Sequence, residues 1–147
     1  MKSNIKLIVI DANFILLPFQ FKIDYFNEIR LLLEGKVRFI LFQQILNELE
    51  AKKKREPKST KFARILNSGL LYLEKNKESY EIDFLNKIKK NHETTDEFLL
   101  RKSIKLKKNY QNVFLATNDS ELRRQAKKSN INVIFLRQKK YLSLERV

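Results

Sequence analysis

The chain has 147 residues, 43% of them hydrophobic, with a formal net charge of +14 at neutral pH and a pI near 10.0. That size and apolar content exclude a disordered polymer and suit one globular domain over residues 1–147; the lysine and arginine excess points to a polyanionic partner, nucleic acid before an anionic membrane surface. With no cysteine, disulfides, cysteine-bound zinc and thiol nucleophiles are excluded. No apolar run approaches the ~18 residues that cross a bilayer, and the N-terminal apolar stretch is interrupted by Asp11 and Asn13 without a cleavage site. A cytoplasmic, non-membrane protein without a signal peptide is therefore expected.

In chain order, "IKLIVI" (Ile5–Ile10) reads as a buried strand, and Asp11 follows it directly. The spacing of Phe26, Ile29, Leu32 and Leu33 predicts a helix over Asp24–Leu33. A second strand, "VRFILF" (Val37–Phe42), leads into a helix over Gln43–Lys54 with Ile45, Leu46 and Leu49 on its apolar stripe. The basic connector "AKKKREPKSTK" (Ala51–Lys61) follows, and Pro57 breaks the helix there. Phe62, Ile65, Leu66, Leu70 and Leu73 predict a helix over Thr60–Lys75, and the polar stretch to Thr95 holds one short element around Tyr80–Phe84. Phe98, Leu99, Leu100 and Ile104 mark a helix over Asp96–Lys107. The strands "NVFLAT" (Asn112–Thr117) and "NVIFL" (Asn132–Leu136) enclose a short basic helix, Ser120–Ser129, with Leu122 and Ala126 facing inward. Short apolar runs without alternation are strands covered on both faces. Their alternation with helices predicts βαβ units and a parallel sheet.

The composition also forbids several chemistries. Gly35 and Gly69 are the only glycines, too few for a P-loop or a GxGxxG turn. The lone histidine, His92 in "NHETT", reads as a solvated loop residue rather than a catalytic one. Carboxylate, hydroxyl and amine chemistry remain, and carboxylates in a basic chain point to a hard divalent cation.

Asp11 ends the first strand and Asp119 follows the third, in "NVFLATND". Ligands of open α/β sheets bind outside the carboxyl ends of the strands, so parallel neighbours would bring both acids to one crevice. Each has a structural alternative. Asp11 fits a turn; Asp119 fits a helix cap, directly or beside an Asn118–Glu121 capping box, and taken singly the cap is the stronger reading. In "TTDEFLL", Thr94 and Glu97 have capping-box spacing, whereas Asp96 falls inside the arc of Phe98, Leu99, Leu100 and Ile104, with Glu97 at its edge. Glu48 and Glu50 border the Ile45–Leu49 stripe on opposite sides, and periodicity does not choose between them. Clustered carboxylates repel unless a cation neutralises them. Magnesium binds through one or two carboxylates plus waters and substrate phosphates, which suits phosphodiester hydrolysis.

The segments "IDAN", "ILNELE", "TTDEFLL" and "ATNDSELRRQA" together resemble the motifs of the PIN-domain ribonucleases. The C-terminal "NVIFLRQKKYLSLE" resembles the archaeal VapC-like and Fcf1/Utp24-like branch, and the likeness covers nearly the whole chain. It implies a three-layer α/β/α fold with a central, mostly parallel sheet of four to five strands. It also implies an Mg²⁺- or Mn²⁺-dependent endoribonuclease acting on single-stranded RNA, rRNA or tRNA among its substrates. In that reading Asp11, Asp96 and Asp119 hold the metal. The resemblance selects Glu48 over Glu50, as ligand or water-orienting base. Relatives often carry two adjacent acids where this chain has Asp96 and Glu97, so either could align with the ligand; the buried-arc position makes Asp96 the first choice and Glu97 the second. Asn13 and Thr117 would orient the shell by hydrogen bonds; Asn118 and Ser120 position phosphate or water, or cap. Lys52, Lys53, Lys54 and Arg55, with Arg123, Arg124, Lys127, Lys139 and Lys140, are placed to track RNA phosphates. Tyr110 or Tyr141 would stack a base or sit half-buried at an edge, and Phe14, Phe19 and Phe21 fit the core or a homodimer interface. An antitoxin partner goes with a toxin-type role, a ribosome-assembly partner with rRNA processing. Two other classes compete: a non-catalytic RNA-binding module of the same fold, disfavoured because all four acidic positions are filled, and a receiver-like phosphotransfer domain, disfavoured because "IDAN" lacks an adjacent acid pair.

Overall fold

The computed structural model describes residues 1–55 and 60–147; the helix break expected at Pro57 lies outside the described residues. Its elements run β1 (Ser3–Ile10), α1 (Ala12–Ile15), α2 (Leu17–Gln20), α3 (Tyr25–Leu32), β2 (Val37–Phe42), α4 (Gln43–Arg55), α5 (Thr60–Asn76), β3 (Ile82–Leu85), α6 (Thr95–Leu106), β4 (Tyr110–Ala116), α7 (Ser120–Lys128), β5 (Asn132–Arg137) and β6 (Tyr141–Glu145). The strands form one sheet in the order β3-β2-β1-β4-β5-β6, flanked by helices. Every neighbouring pair is parallel except the antiparallel pair β5–β6. Among the described residues no helix is long and apolar enough to cross a membrane.

Among the described residues the sheet therefore has six strands rather than the four to five expected. Both additions lie at the edges. β3 forms within the polar stretch around Tyr80–Phe84, and its residues are half-buried or exposed. β6 turns the expected C-terminal arm into a hairpin with β5, through a tight turn in which Lys140 N–H donates to Arg137 C=O at 3.1 Å. Gln138 and Lys139 sit at φ 54° and 57°, the left-handed values that a type I′ hairpin turn requires at both central positions.

The four strands read from apolar runs carry the core. Leu7–Ile10, Phe39–Phe42, Val113–Ala116 and Val133–Phe135 are buried, as expected of strands covered on both faces. Phe14 joins that core, Phe21 packs partly against it and Phe19 is exposed. On α6 the inward arc is turned slightly from the expected one. Ile104 is exposed and Ser103 is buried in its place. Asp96, Leu99 and Ser103 then stand at i, i+3 and i+7, one face of the helix. Gly69 of α5 allows the closest approach: a Cβ there would meet the Ile15 carbonyl oxygen of α1 at 2.1 Å.

Candidate active site

From β1 the sheet grows towards β2 and β3 on one side and towards β4 and β5 on the other. The gap between β1 and β4 is thus the switch point at whose carboxyl end open α/β sheets bind ligands. Register pairs Ile10 with Ala116, and Asp11 N–H donates to Ala116 C=O at 3.0 Å. The residues just past these strands, Asp11 and Thr117, are thereby brought side by side.

Asp11 is 7% exposed and caps α1. Its Oδ1 accepts from Ala12 N–H at 2.7 Å; its Oδ2 accepts from the Thr117 hydroxyl at 2.7 Å and from the Asn13 amide at 3.4 Å. Burial pushes its pKa up, the Thr117 and Ala12 hydrogen bonds oppose this, and the charges of Asp119 and Glu48 push further up. Thr117 is fully buried and ties the two strand ends together: its Oγ1 also accepts from Asp119 N–H at 3.1 Å. Asn13 bridges the same gap, its Oδ1 accepting from Asn118 N–H at 3.1 Å.

Asp119 caps α7 directly. Its Oδ1 accepts from Glu121 N–H at 2.9 Å and Leu122 N–H at 3.0 Å, and the carboxylate is otherwise open to solvent. The Asn118–Glu121 box does not form. Asn118 Oδ1 instead accepts from Leu136 N–H at 2.8 Å, which fastens the β4–α7 loop to β5. Ser120, the first residue of α7, is exposed.

Glu48 and Glu50, which periodicity leaves equal, separate in the structure. Glu50 is exposed. Glu48 is half-buried; its Oε1 accepts from the Gln44 amide at 3.2 Å and from the Thr95 hydroxyl. Gln44 is 6% exposed, and its Oε1 accepts from Lys89 N–H at 3.0 Å. Gln44 and Thr95 escaped the sequence reading. The available signal was the Gln44–Glu48 spacing of i, i+4, which makes helix residues neighbours.

The adjacent acids of α6 take different parts. Glu97 is exposed and closes a capping box with Thr94: its Oε1 accepts from Thr94 N–H at 2.9 Å while Glu97 N–H donates to Thr94 Oγ1 at 3.1 Å. Asp96 is half-buried with no hydrogen bond to its carboxylate among the described residues. Its pKa is pushed from 3.8 up to about 6, first by burial, then by the charges of Asp119, Asp11, Glu121 and Glu48. Asp11, Glu48, Asp96 and Asp119 thus come from four separate elements and act on one another through charge. Among the described residues no three acids stand close enough to make a ready-built cation cage. The donors are all oxygens, the kind that hard divalent cations take, and magnesium needs only one or two of them beside water and phosphate.

The basic residues lie on exposed surface, except Arg123, which is half-buried. Lys52, Lys53, Lys54 and Arg55 form the last turn of α4. Lys139 and Lys140 occupy the hairpin turn. Arg124 pairs with Glu121, and Arg123 and Lys127 pair with Glu145 of β6. Tyr110 is half-buried at the start of β4, while Tyr141 is exposed.

Residues 8–139 match the family model described as a PIN like domain. The chain is 31% identical over 140 residues to "Ribonuclease VapC4" of Methanocaldococcus jannaschii, covering 93% of this chain and 95% of that protein. In three dimensions it resembles the PIN domain endonuclease Utp24 with a TM-score of 0.67 at 21% identity, over 96% of this chain and 92% of the other.

Proposed function

This chain belongs to the PIN-like domain family, and on that premise we propose that it is an Mg²⁺- or Mn²⁺-dependent endoribonuclease that hydrolyses phosphodiester bonds of single-stranded RNA in the cytoplasm. The observation that supports the reading is that Asp96, half-buried, feels the charges of Asp11, Glu48 and Asp119 beside the switch point of the sheet, in a chain with a net charge of +14. Burial first and neighbouring acids second push the pKa values of Asp11 and Asp96 up, and like charges so placed work against the fold unless a cation joins them. A binding role for RNA alone would need the positive charge and not the acids.

Asp11, Asp96 and Asp119 would hold the cation. Glu97 is spent on its capping box, so Asp96 is the acid of that pair assigned to the site. When bound, the metal supplies an activated water and a charge partner for the leaving oxygen. The chain's own residues set the geometry. Thr117 and Asn13 fix the Asp11 carboxylate, and Thr117 also holds the backbone of Asp119. Glu48 is anchored through Oε1 by Gln44 and Thr95, leaving Oε2 to orient a water or take its proton. Exposed cations on α4, α7 and the hairpin turn give the backbone-directed attraction that brings RNA to the site without reading its sequence.

The deciding experiment is digestion of labelled single-stranded RNA with Mg²⁺, with Mn²⁺ and with EDTA. Internal cuts that need the metal and vanish in Asp11→Asn are expected. RNA bound tightly but left intact under all three conditions would replace this reading with the non-catalytic module. A toxin-type role and an rRNA-processing role both fall within the proposal. Copurification with an antitoxin or with a ribosome-assembly partner, respectively, separates them.

A further inference from the structure

On the α7 surface next to Asp119, Ser120, Arg123, Arg124 and Lys127 line a depression of about 270 Å³ together with Glu145 of β6. The spacing i, i+3, i+4, i+7 puts the four α7 residues on one face of that helix. Glu145 reaches this face from the hairpin: its Oε1 lies 3.0 Å from Lys127 Nζ and its Oε2 lies 3.6 Å from Arg123 Nη2. Arg123 lies over the Phe135 ring, 3.7 Å from guanidinium carbon to ring centroid. Its Nε–H is buried and has no hydrogen-bond partner among the described residues.

Two oxygens of one anion thus rest between a lysine and an arginine, and the cradle has donors to spare. An ion pair kept only for stability explains this poorly. Exposed pairs contribute little, and a buried donor without a partner is a cost that structural pairs normally remove. A phosphodiester presents two non-bridging oxygens with the same single negative charge as a carboxylate, and Arg with Lys is the usual pairing for it.

We propose that this depression is a seat for an internal phosphodiester of the RNA substrate, adjoining the cleavage site, and that Glu145 occupies it as a built-in stand-in that RNA must displace. The inference rests on the reading of the chain as acting on RNA and deepens it. The C-terminal hairpin becomes a competitor for the substrate backbone, lowering affinity for any RNA that cannot fill the seat.

The test is RNA binding by fluorescence anisotropy in EDTA, where no cleavage intervenes, for wild type and Glu145→Gln. The amide keeps the side-chain shape and the backbone pairing with Val133, and a melting curve confirms the fold. Binding should tighten about two- to thirtyfold, the range that freeing two partly exposed ion pairs allows. The slope of log affinity against log salt should steepen by about 0.7, one further single-strand phosphate neutralised. Lys127→Gln, at an exposed position that folding does not need, should weaken binding and shrink the gain from Glu145→Gln in the double variant. Equal gains with 5′-hydroxyl and 5′-phosphate RNA are expected, because the phosphate is internal; a gain confined to 5′-phosphate RNA would overturn that assignment. Unchanged affinity and slope in Glu145→Gln would overturn the seat itself, and would do so even if the protein cuts RNA as proposed. Conversely, tighter binding with no metal-dependent cleavage would leave the seat and remove the nuclease.

Discussion

Asp96→Asn should make the metal-free protein more stable, by an amount that depends on pH. Folding raises the Asp96 pKa from 3.8 to about 6, through burial first and then the charges of Asp119, Asp11, Glu121 and Glu48. A rise of about 2 units is worth about 3 kcal/mol at 1.36 kcal/mol per unit. Asp96 is only half-buried, so solvent screening cuts this to about 1.5 kcal/mol. Its place in the first turn of α6 returns about 0.3–1 kcal/mol to the charged form through the helix dipole. About 1 kcal/mol of destabilisation by the ionised carboxylate remains.

The sign follows from which state holds the proton. Because the folded pKa is the higher one, the stabilising contribution of the protonated group is fully present below 3.8 and is lost as pH rises through about 6. An asparagine stays neutral throughout and escapes this loss. Urea unfolding in EDTA should therefore show the variant ahead by about 1 kcal/mol at pH 8, with the margin roughly halved at pH 5. Added Mg²⁺ should stabilise wild type more than the variant, since a ligand that binds only the folded state adds RT ln(1 + [L]/Kd) and the variant binds it less well. A variant no more stable than wild type at pH 8, or a margin that does not change with pH, would refute the claim that Asp96 sits in a field of uncompensated acids.

Three further outcomes are expected. Asp11→Asn and Asp119→Asn should each abolish metal-dependent RNA cleavage with little loss of fold, because Asn caps a helix as well as Asp does; wild-type rates in Asp119→Asn would return that residue to a capping role alone. Gln44→Ala should lower the cleavage rate about 10–100-fold, the usual cost of losing a group that orients a ligand, while RNA affinity in EDTA stays put; equal losses in both would show a merely structural residue. Gly69→Ala should destabilise by about 1–3 kcal/mol in thermal or urea unfolding, since its Cβ would fall 2.1 Å from the Ile15 carbonyl oxygen, outweighing the gain of about 1 kcal/mol in helix propensity.

How much the sequence discloses depends on where an element sits in the sheet. β1, β2, β4 and β5 are buried, and burial on both faces writes itself as an unbroken apolar run. β3 and β6 are the edge strands; most of their residues are only half-buried or exposed, so their composition is mixed and resembles that of loops. The hairpin was further concealed because Gln138 and Lys139 adopt positive φ without the glycine or asparagine that normally announces such a turn. The site divides in the same way. Asp11 and Asp119 are legible because strand ends are legible. The difference between Glu48 and Glu50 rests on Thr95, 47 positions away along the chain, and no helical period contains that information. Ser103 in place of Ile104 shows the limit of the arc argument: a small polar residue can take the inward position while the larger apolar one faces water.

Capping and catalysis, which compete in the sequence as explanations of Asp119, are compatible in the structure because a carboxylate has two oxygens. Oδ1 of Asp119 is committed to two backbone N–H groups of α7. That commitment fixes the side-chain rotamer, so the second oxygen is held in place by the helix itself. Asp11 repeats the device on α1, where Ala12 N–H takes one oxygen and Thr117 with Asn13 takes the other. Both acids are thus positioned by local hydrogen bonds that need no metal. Asp96 has no such donor, and burial first, then the charges of Asp119, Asp11, Glu121 and Glu48, push its pKa up to about 6. The group left unsatisfied by the protein is the one with most to gain from a cation, which is why its stability and pH dependence, rather than those of the two capped acids, report most directly on what the site is built to receive.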